Sequence, residues 1–334
     1  MRGFARRFII AATFSVALAA CSGPDGNGQN PPGGGPPPGT PGGMIVAGGT
    51  GFIHTFNTSS GTEWQKRLSY SAPWSTVTTI PANRELLIAN TSGANPVVVE
   101  VYDLDTFGLK RSFEWPNSTS MTTLHDFAAT QDGAYLAITM EALSDPFFEV
   151  IEVATGEIVY TGLDTLVGSN FVWTADNDLI GVASLGYLND PGMWGAIVRI
   201  PLQNMLDSED GNVDGFLIQT FTRAEFDYLS YLALSPDDSE LVYSRAGDLW
   251  IIKVYEESEP HQLTTGPVGL HGAVFSPSGT HIAVAAGGRY GLDETYVIPL
   301  HRGPPLFIDH GQGAGNEYLL EQNTLVDWML AWLP

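Results

Sequence analysis

Residues 271–279, HGAVFSPSG, and residues 125–133, HDFAATQDG, are built alike. Each starts on His, passes through small and apolar residues and ends on a Gly-containing turn. A recurring pattern restricts the fold more than local propensity does, because every copy must be one unit and the units must pack on one another. The clearest unit is YLALSPDDSELVYSRAGDLWIIKVY, residues 231–255, which reads strand, tight Asp turn, strand, short hairpin, strand. Residues 273–300 repeat that order with a longer hairpin, and residues 126–160 repeat it with a fourth strand. STVTTIPANRELLIAN and NFVWTADNDLIGVAS open two weaker copies. Aligning the turns places Ser75, His125, Ser169, Ser230 and His271 at equivalent positions, 50, 44, 61 and 41 residues apart. Those intervals suit four-stranded propeller blades.

Five copies leave two orphan segments. LVDWMLAWLP, 325–334, reads as a lone first strand, and MIVAGGTGFIHTFNTSSGTEWQKRL, 44–68, reads as second, third and fourth strands without a first. Joined, they complete a sixth blade and remove the exposed edges of both. The expectation is an all-β, six-bladed β-propeller whose last blade is closed by N- and C-terminal strands. His125 and His271 then occupy one position in blades two and five. Beyond residue 43 helix signals are nearly absent. Short β-branched and aromatic runs such as ELLIAN (85–90), ELVYSR (240–245) and HIAVAA (281–286) alternate with Gly, Asp, Asn and Pro turns.

ALSPDDSELVYS…DLWIIKV and VFSPSGTHIAVA resemble the WD-repeat-like units of the TolB-type exported bacterial propellers. The resemblance covers two blades well and three loosely. It implies a fold and an envelope compartment, and it carries no partner across.

The first 43 residues have a different composition. Arg2, Arg6 and Arg7 precede the apolar run FIIAATFSVALA, which is too short for a stable membrane span. Leu18-Ala19-Ala20-Cys21 then resembles the lipobox of bacterial lipoproteins, and Cys21 is the only cysteine in the chain. Residues 1–20 are therefore read as a lipoprotein signal peptide. Residues 21–43 are read as a lipidated Cys and a disordered Gly/Pro linker, and residues 44–334 as the propeller. The expected location is the cell envelope, at the outer membrane on its periplasmic side. The chain has 14 basic and 37 acidic residues. Such a balance repels nucleic acid and anionic headgroups and suits cationic partners or divalent ions. The expected partner is an envelope protein, peptide or glycan. Membrane contact runs through the lipid only, and the chain is expected to be a monomer.

In a propeller the first strand of each blade lines the channel. The loops entering it, with the hairpins between second and third strands, form one face. The candidate partner or ligand face holds His125, Asp126, Asp227, Tyr228, His271, Asp327 and Trp328 at the channel mouth. Tyr187, Trp194, Arg289 and Tyr290 lie on the two longest hairpins. Aromatic and Arg side chains on protruding loops are typical of recognition surfaces. In DGNVDG, Asp210, Asn212 and Asp214 match the opening of a calcium loop, but Phe221 stands where the bidentate Glu belongs. Calcium is thus the one cofactor considered. His125 and His271 are too far apart across a six-bladed ring to share a metal. No G-x-S-x-G, phosphate-binding loop or H-E-x-x-H occurs. No catalytic residue is assigned. The reading is a lipid-anchored, non-enzymatic binding or scaffold module. The alternative is a propeller hydrolase or lyase acting on sugars or lactones at the channel mouth, which requires clustered carboxylates or a channel metal.

Overall fold

The computed structural model describes residues 41–49, 52–59, 62–67, 77–90, 97–116, 123–142, 145–163, 171–184, 194–208, 213–226, 229–287, 293–308, 318–322 and 328–334. They form six four-stranded antiparallel sheets. Blade one comprises Val77–Ile80, Glu85–Asn90, Val98–Asp103 and Leu109–Glu114. Blade two comprises Thr123–Ala129, Tyr135–Ala142, Asp145–Glu152 and Glu157–Leu163. Blade three comprises Val172–Trp173, Asp178–Ser184, Gly195–Pro201 and Phe216–Phe221. Blade four comprises Leu229–Leu234, Glu240–Arg245, Asp248–Lys253 and His261–Gln262. Blade five comprises Gly269–Phe275, His281–Gly287, Asp293–Pro299 and Tyr318–Gln322. In blade six Trp328–Leu333 is the first strand, followed by Met44–Gly49, Phe52–Asn57 and Thr62–Arg67. The first strands touch in the order one to six and back to one, so the ring is closed.

The apolar core consists of six clusters, one in each seam between neighbouring blades. Successive side chains of a strand point to opposite faces. A strand buried on both faces therefore feeds two seams and reads as a continuous apolar run. Ile45 and Ala47 pack with Ala283, Ala285 and Val297 in the seam between blades five and six. Val46, between them, packs with Val77, Leu86 and Ile88 of blade one.

The turns between first and second strands share one side-chain device. Thr130, Thr174, Ser235 and Ser276 open the turns of blades two to five. Their hydroxyls accept the backbone N–H of Tyr135, Asp178, Glu240 and His281 at 2.9–3.0 Å. Thr130 and Ser235 also donate to Asp132 and Asp237, two residues on, at 2.8 and 2.7 Å. The Ala134 backbone N–H and then the Thr130 hydroxyl hold the Asp132 carboxyl below its ordinary range, and the Ser235 and Ser239 hydroxyls do the same for Asp237. Three residues after the hydroxyl the backbone is left-handed: Gly133, Asn177, Asp238 and Gly279 have φ of 73°, 62°, 58° and 70°. Gly, Asn and Asp are the residues that tolerate this conformation. In blade one Arg84 occupies it at φ 49°, with its guanidinium fixed on Asp105 at 2.6 Å.

Three features depart from the sequence expectation. Leu202–Leu206 and Arg223–Phe226 are short helices, and Pro81–Asn83 is a 3-10 turn. Four first strands are bulged, at His125, Tyr231, Gly272 and Leu330. Thr264–Thr265 and Leu306–Phe307 form a two-stranded parallel bridge beside blades four and five.

One ionisable group lies deep in the seam between blades one and two. Glu149 is 6% exposed and accepts from Trp115 Nε1 at 2.9 Å. Burial pushes its carboxyl above the ordinary 4.5, with the Trp115 bond opposing part of that shift. The native chain therefore holds this proton where the unfolded chain has lost it, and this contribution to stability is lost as pH rises through the raised value. Glu149→Gln keeps an acceptor for Trp115 and removes the buried charge. The variant is expected to melt higher than the parent at about pH 7–8, with the difference shrinking towards about pH 5. Calorimetric melts across that range check this; an equal or lower melting temperature at neutral pH contradicts it.

Candidate binding face

Four of the inner strands carry bulges. A bulge inserts one unpaired residue, increases the local twist and re-aims the neighbouring side chains. Tyr231 and Gly272 adopt φ of 52° and 57° at their bulges. Gly at 272 meets this demand without steric cost, whereas Tyr231 is held there by the surrounding blade. In blade two His125 itself is the extra residue, between Leu124 and Asp126. In blade five His271 pairs with Ala285 one step before the bulge. In blade six Trp328 pairs with Gly48. Blades two and five are opposite members of the ring, so the two histidines stand on strands facing each other across the channel.

Asp126 has a second role that its place in the sequence does not reveal. It is 8% exposed. One carboxylate oxygen accepts the N–H of Phe127 at 2.8 Å, and the other accepts the N–H of Phe171 at 2.5 Å. Phe171 immediately precedes the first strand of blade three, so the carboxylate ties two neighbouring inner strands together. Ser244, on the second strand of blade four, ties that blade to the inner strand of blade five, donating to the Leu270 carbonyl at 2.7 Å. Trp194 is half-buried, and its backbone N–H donates to the Phe221 carbonyl at 2.9 Å. Tyr187, Asp227, Tyr228, Arg289, Tyr290 and Asp327 lie outside the described residues, as does Cys21.

Of the calcium-loop residues, Asp210 and Asn212 also lie outside the described residues. Asp214 is exposed, and its backbone carbonyl accepts from Asn204 Nδ2 at 2.8 Å. Among the described residues no group of three or more His, Cys, Asp or Glu is placed to hold a metal ion. No helix among them is long and apolar enough to cross a membrane.

The opposite face, made by the turns between first and second and between third and fourth strands, is strongly acidic. Asp105, Asp132, Asp176, Asp214, Asp237, Glu256 and Glu257 are exposed there. Asp238, in the turn next to Asp237, accepts the Ala175 N–H at 2.6 Å. Burial, with Asp176, Asp237 and Asp178 nearby, raises its carboxyl above the ordinary range.

Ring, seams and turns together define the class: the chain is a six-bladed β-propeller. No protein-family model matches the sequence, and no curated protein matches it. Among solved structures, TolB from Acinetobacter baumannii superposes with a TM-score of 0.54 at 14% identity, over 87% of this chain and 66% of that one. This chain thus spans just under two thirds of that TolB chain. A chain of the nidogen/laminin complex gives a TM-score of 0.54 at 9% identity, over 87% of this chain and 97% of that one. At these identities the likeness is one of fold.

If Asp126 is a strut, removing its carboxylate leaves two buried amides without acceptors. Asp126→Ala is expected to lower stability by about 2–4 kcal/mol in denaturant melts. An unchanged melt contradicts the strut.

Proposed function

We propose that the protein is a lipid-anchored envelope propeller acting as a non-enzymatic binding or scaffold module for a protein, peptide or glycan partner. One observation carries this reading. Met44 pairs with Leu333 at the end of blade six where the other blades have their first tight turns. Residues 41–43 therefore lie at the turn end of blade six. A tether running back from them to a lipidated Cys21 starts away from the hairpin end of the inner strands that carry His125, His271 and Trp328, and leaves that face open to a partner.

Two further points support the reading. A TolB fold agrees with an exported location on the periplasmic side of the outer membrane. A chain from a protein–protein complex shares the architecture, in agreement with a binding role. The alternative hydrolase or lyase requires clustered carboxylates or a metal at the channel mouth, and Asp126, one of the candidate carboxylates, has both oxygens engaged by backbone amides.

Two measurements test the proposal. Cys21→Ser is expected to abolish incorporation of labelled fatty acid and to move the protein from the membrane pellet to the soluble fraction. A variant that still pellets contradicts the anchor. For the face, the full-length chain is crosslinked in cells and co-purified with its partner. Trp194→Ala, Tyr290→Ala and Trp328→Ala combined are expected to abolish capture while the melt is kept. Capture that survives with an unaltered melt excludes this face.

A further inference from the structure

The outer edge of blade three differs from the other long edges in one respect that has consequences. Its strand, Phe216–Phe221, reads FLIQTF, with no charge, Gly or Pro. It is the last strand of its sheet, hydrogen-bonded to Gly195–Pro201 on one side. Phe216 and Leu217 are 54% and 63% exposed. Proteins normally blunt such an edge with charge, because an uncharged exposed strand pairs with any extended chain that reaches it. Blade one shows that protection: its outer strand, Leu109–Glu114, carries Lys110, Arg111 and Glu114, all exposed. Blade three has a bulge at Ile218, whose side chain packs into the seam with blade four. Phe216 and Leu217 remain uncovered before it.

The start of this edge is fixed rather than merely exposed. The Arg199 guanidinium lies 4.6 Å from the Phe216 ring centroid and 4.8 Å from that of Tyr255, which belongs to blade four. Asp178 holds the same guanidinium at 2.5 Å. Phe216 and Tyr255, the latter 49% exposed, therefore flank one buttressed cation and present their remaining ring surface to solvent. Carboxylates border both: Asp214 precedes Phe216 by two residues, and Glu256 and Glu257 follow Tyr255, all three exposed.

We propose that this edge is a docking site for an extended basic polypeptide segment that adds to blade three as a fifth strand. Main-chain hydrogen bonds supply the pairing, and alternate apolar side chains of the segment cover Phe216 and Tyr255, on the face opposite Leu217. Its Lys or Arg side chains meet Asp214 and Glu257, Glu256 being already paired with Lys253. Charge decides the occupant. The chain carries a formal net charge of −23, so a second copy brings the same carboxylates to the same edge and is repelled, whereas a cationic strand is steered towards it. The site lies on the rim, apart from the hairpin face, and does not depend on lipidation.

The probe is a fluorescein-labelled amidated octapeptide of alternating Val and Lys, titrated into the full-length chain and followed by anisotropy. Binding is expected, weakening as salt screens the carboxylates. Leu217→Lys is expected to weaken it by about tenfold or more, through charge repulsion at the edge. Leu109→Lys adds the same charge to an equally bare leucine, 56% exposed, on blade one, and is expected to leave binding within about twofold. Tyr255→Ala, outside the strand, tests the same surface without touching strand pairing and is expected to weaken binding. Amides of 216–221 are expected to gain hydrogen-exchange protection in the complex. No binding, equal loss in both Lys variants, or equal binding of a Gly–Lys peptide overturns the proposal. Sedimentation showing a dimer that Leu217→Lys dissociates also overturns it, by making a second copy the occupant.

Discussion

The pairing of Met44–Gly49 with Trp328–Leu333 is the contact on which the rest of the ring depends. It runs in register from Met44↔Leu333 to Gly48↔Trp328, with one shift between Val46 and Ala47. Each strand alone has an unsatisfied row of backbone groups, and together they satisfy each other. The pairing also completes two of the six seams. Trp332 enters the cluster shared with blade five, and Ala331 and Leu333 enter the one shared with blade one. The clasp is tight at Gly43, where a Cβ would come within 2.3 Å of the Leu333 carbonyl oxygen and φ is 144°. Thr58 locks that corner: its N–H donates to the Gly43 carbonyl at 2.9 Å, and its hydroxyl lies 3.0 Å from the same oxygen and 2.8 Å from the Pro41 carbonyl. The last residues before the strand are therefore held against the blade.

Closure determines what each surface is free to do. Once the seams take up the apolar side chains, what distinguishes one blade from another is confined to loops, turns and outer strands. Two of the turn face's carboxylates, Asp132 and Asp237, belong to its repeated device, where they hold a Thr or Ser hydroxyl; Asp105, Asp214, Glu256 and Glu257 come from the turns between third and fourth strands. The rim differs from blade to blade. Lys110 and Arg111 guard blade one, with Lys110 Nζ 2.7 Å and Arg111 2.8 Å from Glu85. Blade four shortens its outer strand to two residues. Blade three leaves its edge uncharged.

Much of this architecture was legible in the sequence because the period and the turns are local signals. SPDD, SPSG and TQDG each state a hydroxyl, an acceptor and a residue able to adopt positive φ within four positions. Strand boundaries followed: Glu85–Asn90 and Glu240–Arg245 coincide with the expected runs, and His281–Gly287 extends its run by one residue. What escaped is whatever depends on a partner far along the chain. Asp126, read as a member of the channel-mouth face, gives no sign in sequence that the Phe171 amide, 45 residues on, completes its shell. The bulge at Gly272 has a glycine to mark it; the one at Tyr231 has nothing, because the blade and not the residue imposes the conformation. Leu202–Leu206 is helical inside a long connection, where its buried Leu202 and Met205 pack between blades two and three. That packing is a tertiary choice which a five-residue segment does not announce.

Native-state hydrogen exchange on the terminal strands tests the central claim most directly. If closure joins both ends into one cooperative ring, amides of 44–49 and 329–333 exchange only through global unfolding, with the same free energy as the inner strands of blades two and four. If the ends instead exchange as frayed segments while those inner strands stay protected, blade six is not the clasp of the ring and the closure account fails.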